Sequence, residues 1–471
     1  MTCENFIPTP RGSYKTAPIF TTLGTAGAGP STPGTGLAAI ALQTAAGTSV
    51  VNVGTTTKLY TASTTDFQAG TFTDRSPSAY SVTSWSFAQF GNYTIAAALG
   101  TPPQVRDATG SSNFATLSGS PPTGKIVVVQ SNVVLLFSIS GALNSWAASD
   151  VGSHTTWSGG DAVATTAILH RPGEITAAIA FRDYVLVFKK NSIYMMRYVG
   201  SPIYWTVDLL DDTRGVSSLG AVANCGDVVI FSGAHGVTVW DGSGFRDISD
   251  GFQLESGLSN LSLNVGADGA VYFPAERNVV FFTAGTQAWV YNVQTDQWGY
   301  FYAYRSGTAA RTGLNILQGT PSARADAIGG IAADLSNGGM CLIGLAATGT
   351  GTDDVVLQST DSFAPDASVY AKIGTTYMGA ENEKTLFKRV YPIASNTFAN
   401  SLPAATGLTL NYNVQTSPYG SIGSTTATSS STPHRFDIMT ASNFGAFELR
   451  VTGGYYEIED MLVETLPAGK E

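Results

Sequence analysis

Charge is what this sequence has least of. Only 12% of its 471 residues are Asp, Glu, Lys or Arg, about half of the roughly 25% usual in soluble globular chains. The shortage argues against long solvent-facing helices, which are built from Lys, Glu and Arg, and it leaves little repulsion to hold copies apart. Bases are the scarcer sign, 24 Lys and Arg against 34 Asp and Glu for a net charge of −10. They form no basic stripe, so tight nucleic-acid binding through counterion release is excluded. The three cysteines, Cys3, Cys225 and Cys341, are odd in number and lack metal-ligand spacing. They read as buried thiols, not as a disulfide framework or a zinc site. The four histidines, His154, His170, His235 and His434, stand in unrelated contexts without an HExxH pair. No GxSxG elbow or GxxxxGK[ST] loop occurs, so acyl transfer and nucleotide hydrolysis lack their usual signatures. No apolar run nears the roughly 18 residues of a membrane span, and the first 18 residues lack a signal-peptide core. The expectation is a protein made in the cytoplasm, without a membrane span and without a cofactor.

What fills the space is Gly, 52 residues of it, with Ser, Thr and Ala. From about residue 37 short apolar runs alternate with turn residues, the pattern of a sheet-rich chain. IVVV (126–129) breaks at Gln130-Ser131-Asn132 and resumes as VVLLF (133–137). AIAF (178–181), YVLVF (184–188) and IYMMRYV (193–199) follow, then VVIF (228–231) with VTVW (237–240), and VVFF (279–282) with AWVYN (288–292). A weaker pair surrounds Met340 to Gly344 and Val355 to Leu357. The unit recurs six or seven times at roughly 40 to 60 residues, near the blade length of propellers. The expected fold is all-β, an irregular β-propeller over 37–365, with a pair of β-sandwiches as the competing arrangement. Residues 1–36 show no sustained period and read as an extended arm ordered only against a neighbour. Beyond residue 366 the strands lengthen and alternate, as in a smaller C-terminal β-sandwich or platform domain over 366–471. The best short helix candidate is LNSWAASD, residues 143–150.

Two features could carry chemistry. Asp150-Val151-Gly152-Ser153-His154-Thr155-Thr156-Trp157 is similar to the Asp box of sialidase blades, with two residues too many before the Trp, and such boxes are structural turns. Between Ser201 and Asn260 stand eight acids, Asp208, Asp211, Asp212, Asp227, Asp241, Asp247, Asp250 and Glu255, against Arg214 and Arg246. The cluster Asp208, Asp211 and Asp212 beside Arg214 could hold a cation or a carboxylate pair of the kind a propeller glycosidase or depolymerase uses, and a solvated loop between blades is the plainer reading. Facing a channel, Asp208, Asp211, Asp212, Asp241, Asp247 and Asp250 would repel a DNA backbone and let it slide.

Several strings together resemble the nozzle or tail tubular proteins of short-tailed bacteriophages. They are ENFIPTPRGSYKTAP (4–18), KLYTASTTDFQAGTFTDRS (58–76) and WSFAQFGNYTIAAALGTPPQVRD (85–107), then FATLSGSPPTGKIVVVQSNVVLLF (114–137), TTWSGGD (155–161), VFKKNSIYMMRYVGSP (187–202) and FSGAHGVTVWDGSGFRDIS (231–249). The resemblance covers most of 1–365 and is weaker beyond. It implies a homohexameric, non-enzymatic ring in the virion tail, docked on an adaptor or head-to-tail connector and holding tail fibres or spikes. Double-stranded DNA would pass through it during ejection without specific binding. It carries no catalytic residues. Within it, Phe6, Ile7, Arg11, Tyr14 and Lys15 are the candidate residues of an assembly arm. A tail-fibre adhesin is a third reading, disfavoured because no heptads or β-helix repeats are present.

Overall fold

The computed structural model describes residues 2–17, 20–22, 36–63, 66, 72–233, 236–249, 269–273, 276–282, 287–302, 315–316, 341–342, 344–345, 357–359, 371–374, 378–379, 383–394, 407–415, 425–428, 430–431, 434–452 and 456–469. The chain is all-β. Six consecutive four-stranded antiparallel units run from Gly36 to Tyr302, each strand paired with the next in sequence. Blade one is Gly36–Gln43, Ser49–Thr55, Leu59–Ser63 and Thr73–Asp74. Blade two is Ser86–Phe90, Tyr93–Ala98, Thr101–Asp107 and Ala115–Thr116. Blade three is Gly124–Gln130, Val133–Ile139, Ala142–Ala148 and Val163–Ala167. Blade four is Ile175–Phe181, Tyr184–Lys189, Ser192–Gly200 and Tyr204–Asp211. Blade five is Val222–Asn224, Val229–Gly233, Gly236–Trp240 and Phe245–Asp247. Blade six is Gly269–Phe273, Asn278–Phe282, Gln287–Asn292 and Gln297–Tyr302.

The first strand of each blade packs against the first strand of the next, so first strands lie innermost and fourth strands form the outer rim, as in a β-propeller. This explains the apolar runs. The second strands Val133–Ile139 and Tyr184–Lys189 are buried along their whole length, because both faces of a blade meet a neighbour, and they read as continuous hydrophobic stretches. Ser131 and Asn132 both take positive φ, 51° and 61°, in the two-residue turn that closes Gln130 onto Val133. That is the twist-matched hairpin geometry Asn favours. Polar groups tie blade to blade. Trp85 Nε1 donates to the Thr55 carbonyl at 2.7 Å, Asn224 Nδ2 to Ala180 O at 2.8 Å, Trp240 Nε1 to the Tyr184 hydroxyl at 2.8 Å and Trp298 Nε1 to Ile248 O at 3.1 Å.

Two expectations are corrected. LNSWAASD is not helical: Ala142–Ala148 is the third strand of blade three, with Trp146 opposite Phe137. Its alternation is hidden because Ser145, Trp146, Ala147 and Ala148 are all buried, on both faces of the blade. The N-terminal segment is no arm awaiting a neighbour. Strands Thr2–Glu4, Phe6–Pro8 and Tyr14–Thr16 are built into the chain's own large sheet. Phe6 pairs with Tyr300 of blade six, Thr2–Glu4 with Ala371–Gly374, and Tyr14 and Lys15 with Ile458 and Glu457. Phe6 and Ile7 are fully buried.

The C-terminal strands Lys384–Ala394, Gly407–Gln415, His434–Ser442, Phe444–Thr452 and Glu457–Gly469 follow the long alternating segments read from sequence. Their sheet curls so that Phe387, Val390, Phe436 and Ile438 face Leu410, Phe447, Leu449 and Val451 across one core, which Phe6 also enters. Phe387 and Phe447 meet at 5.5 Å between ring centres. The weaker pair also forms, Cys341–Leu342 against Leu357–Ser359, joined on its far edge by Phe20–Thr22.

Candidate functional site

The acidic stretch is spread along one side of the propeller. Asp208 and Asp211 are on the outermost strand of blade four, Asp247 is on the outermost strand of blade five, and Asp241 is in the turn leading to it. Asp212 follows blade four, and Asp250 lies outside the described residues. None of these acids is on an innermost strand, where Lys125 is the one charged residue among the described blades.

Most of these carboxylates are occupied. Arg214 is the hub: its Nη1 donates to Asp211 Oδ2 at 2.8 Å and its Nη2 to Asp247 Oδ2 at 3.0 Å, joining blades four and five. These two bonds, Asp247's first, hold the guanidinium pKa above its ordinary value. Burial alone would raise the Asp211 carboxyl, but the N–H groups of Thr213 and Arg214, the Thr213 hydroxyl and the Arg214 side chain outweigh it and bring the pKa down to about 2. Asp212 pairs with Arg171. Asp241 accepts from the Ser243 N–H and hydroxyl and from the Gly244 N–H, which lower it to about 2. Asp208 and Asp227 are exposed and have no ion pair among the described residues. A glycosidase acid needs a carboxyl whose pKa is raised so that it holds a proton. The shifts at Asp211 and Asp241 run the other way, so these groups serve as anionic anchors and turn caps. No cluster of three or more His, Cys, Asp or Glu suited to a metal occurs among the described residues.

The segment similar to an Asp box is likewise architectural. Asp150 Oδ1 accepts from the N–H groups of Val151 and Asp161 at 3.0 and 2.9 Å. Trp157 Nε1 donates to His154 O at 3.0 Å, and the indole is buried among blade-two and blade-three residues. The His154 ring lies 4.4 Å from that of Tyr93, and burial lowers its pKa. His170 is exposed, and His235 lies outside the described residues. Cys3 and Cys225 are buried, and burial pushes the Cys3 pKa up.

The five assembly-arm residues separate. Phe6 and Ile7 are core, Tyr14 donates to Trp298 O at 3.0 Å, and Lys15 is ion-paired with Glu276. Arg11 alone is exposed, at the turn where Gly12 N donates to Thr9 O.

Sequence reasoning missed two places. Lys189, in what reads as a Lys-Lys turn, is buried: its ammonium donates to the Ile168 carbonyl at 2.8 Å and to that of Arg171, and desolvation lowers its pKa. The only signal was its position at the end of a fully apolar second strand. The other is a cavity of about 300 Å³ where the N-terminal turn, blade six and the last strand converge. Its walls come from segments up to 449 positions apart, from Gly12 to Met461, and no local pattern announces it.

Among known proteins, no family model and no curated protein matches this chain. Among solved structures it is similar to the computationally designed Ika8 protein, at 15% identity and a TM-score of 0.37, over 56% of this chain and 76% of that one. It is also similar to the extracellular domain of BT4673 from B. thetaiotaomicron, at 12% identity and a TM-score of 0.47, over 83% of this chain. It spans 45% of that protein's length. Neither likeness defines a function.

Proposed function

We propose that this chain is a structural subunit of a short-tailed phage tail, a homo-oligomeric nozzle ring that conducts double-stranded DNA and catalyses no reaction. In this reading the ring sits in the virion, docks on the adaptor, and holds fibres or spikes. The observation that carries it is apolar surface on a chain poor in charge. Leu143, Leu169, Val199, Ile203 and Leu209 stand exposed along the outer parts of blades three and four, Leu169 by 79% and Ile203 by 65%. Such surface on a low-charge protein fits contact with a neighbouring subunit. Beside it, Asp208, Asp227 and Asp241 are exposed and have no ion pair among the described residues, and unpaired carboxylates suit the wall of a DNA conduit because they disfavour sticking. The resemblance of 1–365 to tail nozzle proteins supplies the sixfold symmetry.

The test is the symmetry of the purified assembly by native mass and electron imaging. Sixfold rings support the nozzle. Threefold particles favour a fibre adhesin, and a monomer that releases sugar from host polysaccharide favours a depolymerase.

A further inference from the structure

The last strand, Glu457–Gly469, is 13 residues long, and among the described residues it is paired along its length on one edge only. That edge pairs along its length with Lys384–Ala394. On the other, Ile458 and Glu457 are met by Tyr14 and Lys15, and from Glu459 onward no described strand lies alongside. The Met461 N–H turns to the carboxylate of its neighbour, donating to Asp460 Oδ1 at 2.7 Å. An open strand edge of this length is a template for another chain.

The cavity of about 300 Å³ opens where the pairing stops. Ile373, Met378 and Met461 give it apolar walls, and Glu459 and Asp460 line it as well. Both acids are exposed and have no ion pair among the described residues. Gln297 also lines it. Its Nε2 donates to Gly12 O at 3.3 Å, while its Oε1 is buried with no hydrogen-bond donor among the described residues. A long apolar stem ending in a cation fits such a site, with methylenes against Met and Ile and the charged head among carboxylates and an amide oxygen.

We propose that the edge of residues 459–469, alongside which no described strand lies, is a β-augmentation site for an extended, Lys- or Arg-bearing segment of a partner protein, one basic side chain of which enters the cavity. Backbone bonds to the edge supply affinity, and the acid-lined cavity supplies selectivity. A second copy of the same strand is a poor occupant. The strand carries Glu457, Glu459, Asp460 and Glu464 and no base, so pairing it with itself sets like charges across the ladder. The inference does not depend on the nozzle reading, because it concerns the single chain and is tested without an assembled tail.

The probe is a fluorescein-labelled decapeptide alternating Lys and Thr, followed by anisotropy on the full chain. Controls are the same peptide with Glu for Lys, and two versions N-methylated on alternate amides, one on each edge. The Lys peptide is expected to bind and the Glu peptide not, and one N-methylated version should lose binding while the other keeps it. The double variant Glu459→Gln with Asp460→Asn should weaken binding about tenfold or more without changing the melting temperature, and Gln297→Met should weaken it independently. Failure of the Lys peptide to bind, equal binding by both methylated versions, or undiminished binding to the folded variants would overturn the proposal. So would sedimentation showing the edge already closed by a second copy.

Discussion

Arg214 illustrates how a single residue does work that its neighbours in sequence do not reveal. It holds Asp211 of blade four and Asp247 of blade five at once, so the acids that look like a catalytic pair are instead one clasp. Replacing Asp211 with Asn should lower stability at neutral pH by about 1 to 3 kcal/mol, the usual cost of breaking a charge-assisted bond in a partly buried place, read from the urea midpoint. The pH dependence follows from the lowered pKa. A carboxyl at about 2 when folded and near 4 when unfolded contributes fully above pH 4, and the contribution fades as pH falls toward 2. Wild type and Asp211→Asn should therefore converge in stability near pH 2 and differ at pH 6. Gly119 is a second such residue. Its φ is +86°, and an added Cβ would stand 1.7 Å from the Thr155 carbonyl oxygen. Gly119→Ala should cost about 3 kcal/mol or more, through left-handed strain and the forced shift of the segment before Trp157. The excess of acids was legible in the sequence; their engagement was not, because Arg171, which takes Asp212, lies outside the acidic stretch.

At the scale of elements, the second strands were the most legible, since burial on both faces writes itself as an unbroken apolar run. The N-terminal strands were the least. FIP and YKT are three residues each, too short to show a period; they pair with each other, but their remaining partners lie roughly 290 to 450 positions downstream. The reading of these residues as an arm predicts that removing them leaves a folded subunit. The structure predicts otherwise. Phe6 sits in the core shared with Phe387, Phe447 and Leu449, so Phe6→Ala should cost about 3 to 5 kcal/mol. Deletion of residues 1–17 should melt the C-terminal sheet at lower temperature than blades two to four, visible as two calorimetric transitions where the whole chain gives fewer.

For the whole molecule, the paucity of charge pointed toward large contacts between copies, and the exposed Leu169 and Ile203 are the surface the proposed ring would use for them. The double variant Leu169→Asp with Ile203→Asp should turn a ring into monomers of unchanged melting temperature, measured by native mass. Unchanged ring size would locate the contact elsewhere. The number of blades was not legible, because six or seven apolar units blur where turns are irregular, and because strand pairing joins the sixth blade to the C-terminal sheet while the other five stand as separate sheets.

The seating of the N-terminal strands between blade six and the last strand sets an order of events during synthesis. Phe6 and Ile7 emerge from the ribosome roughly 450 residues before Glu457–Gly469, which at translation rates of about 5 to 20 residues per second is a wait of roughly 20 to 90 seconds. Blades one to five can form during that interval; Phe6 first gains Tyr300 of blade six, and only later Phe387, Phe447 and Leu449 of its core. A ribosome that stops before those strands therefore releases a product in which Phe6 lacks most of its core and is open to proteases and chaperones.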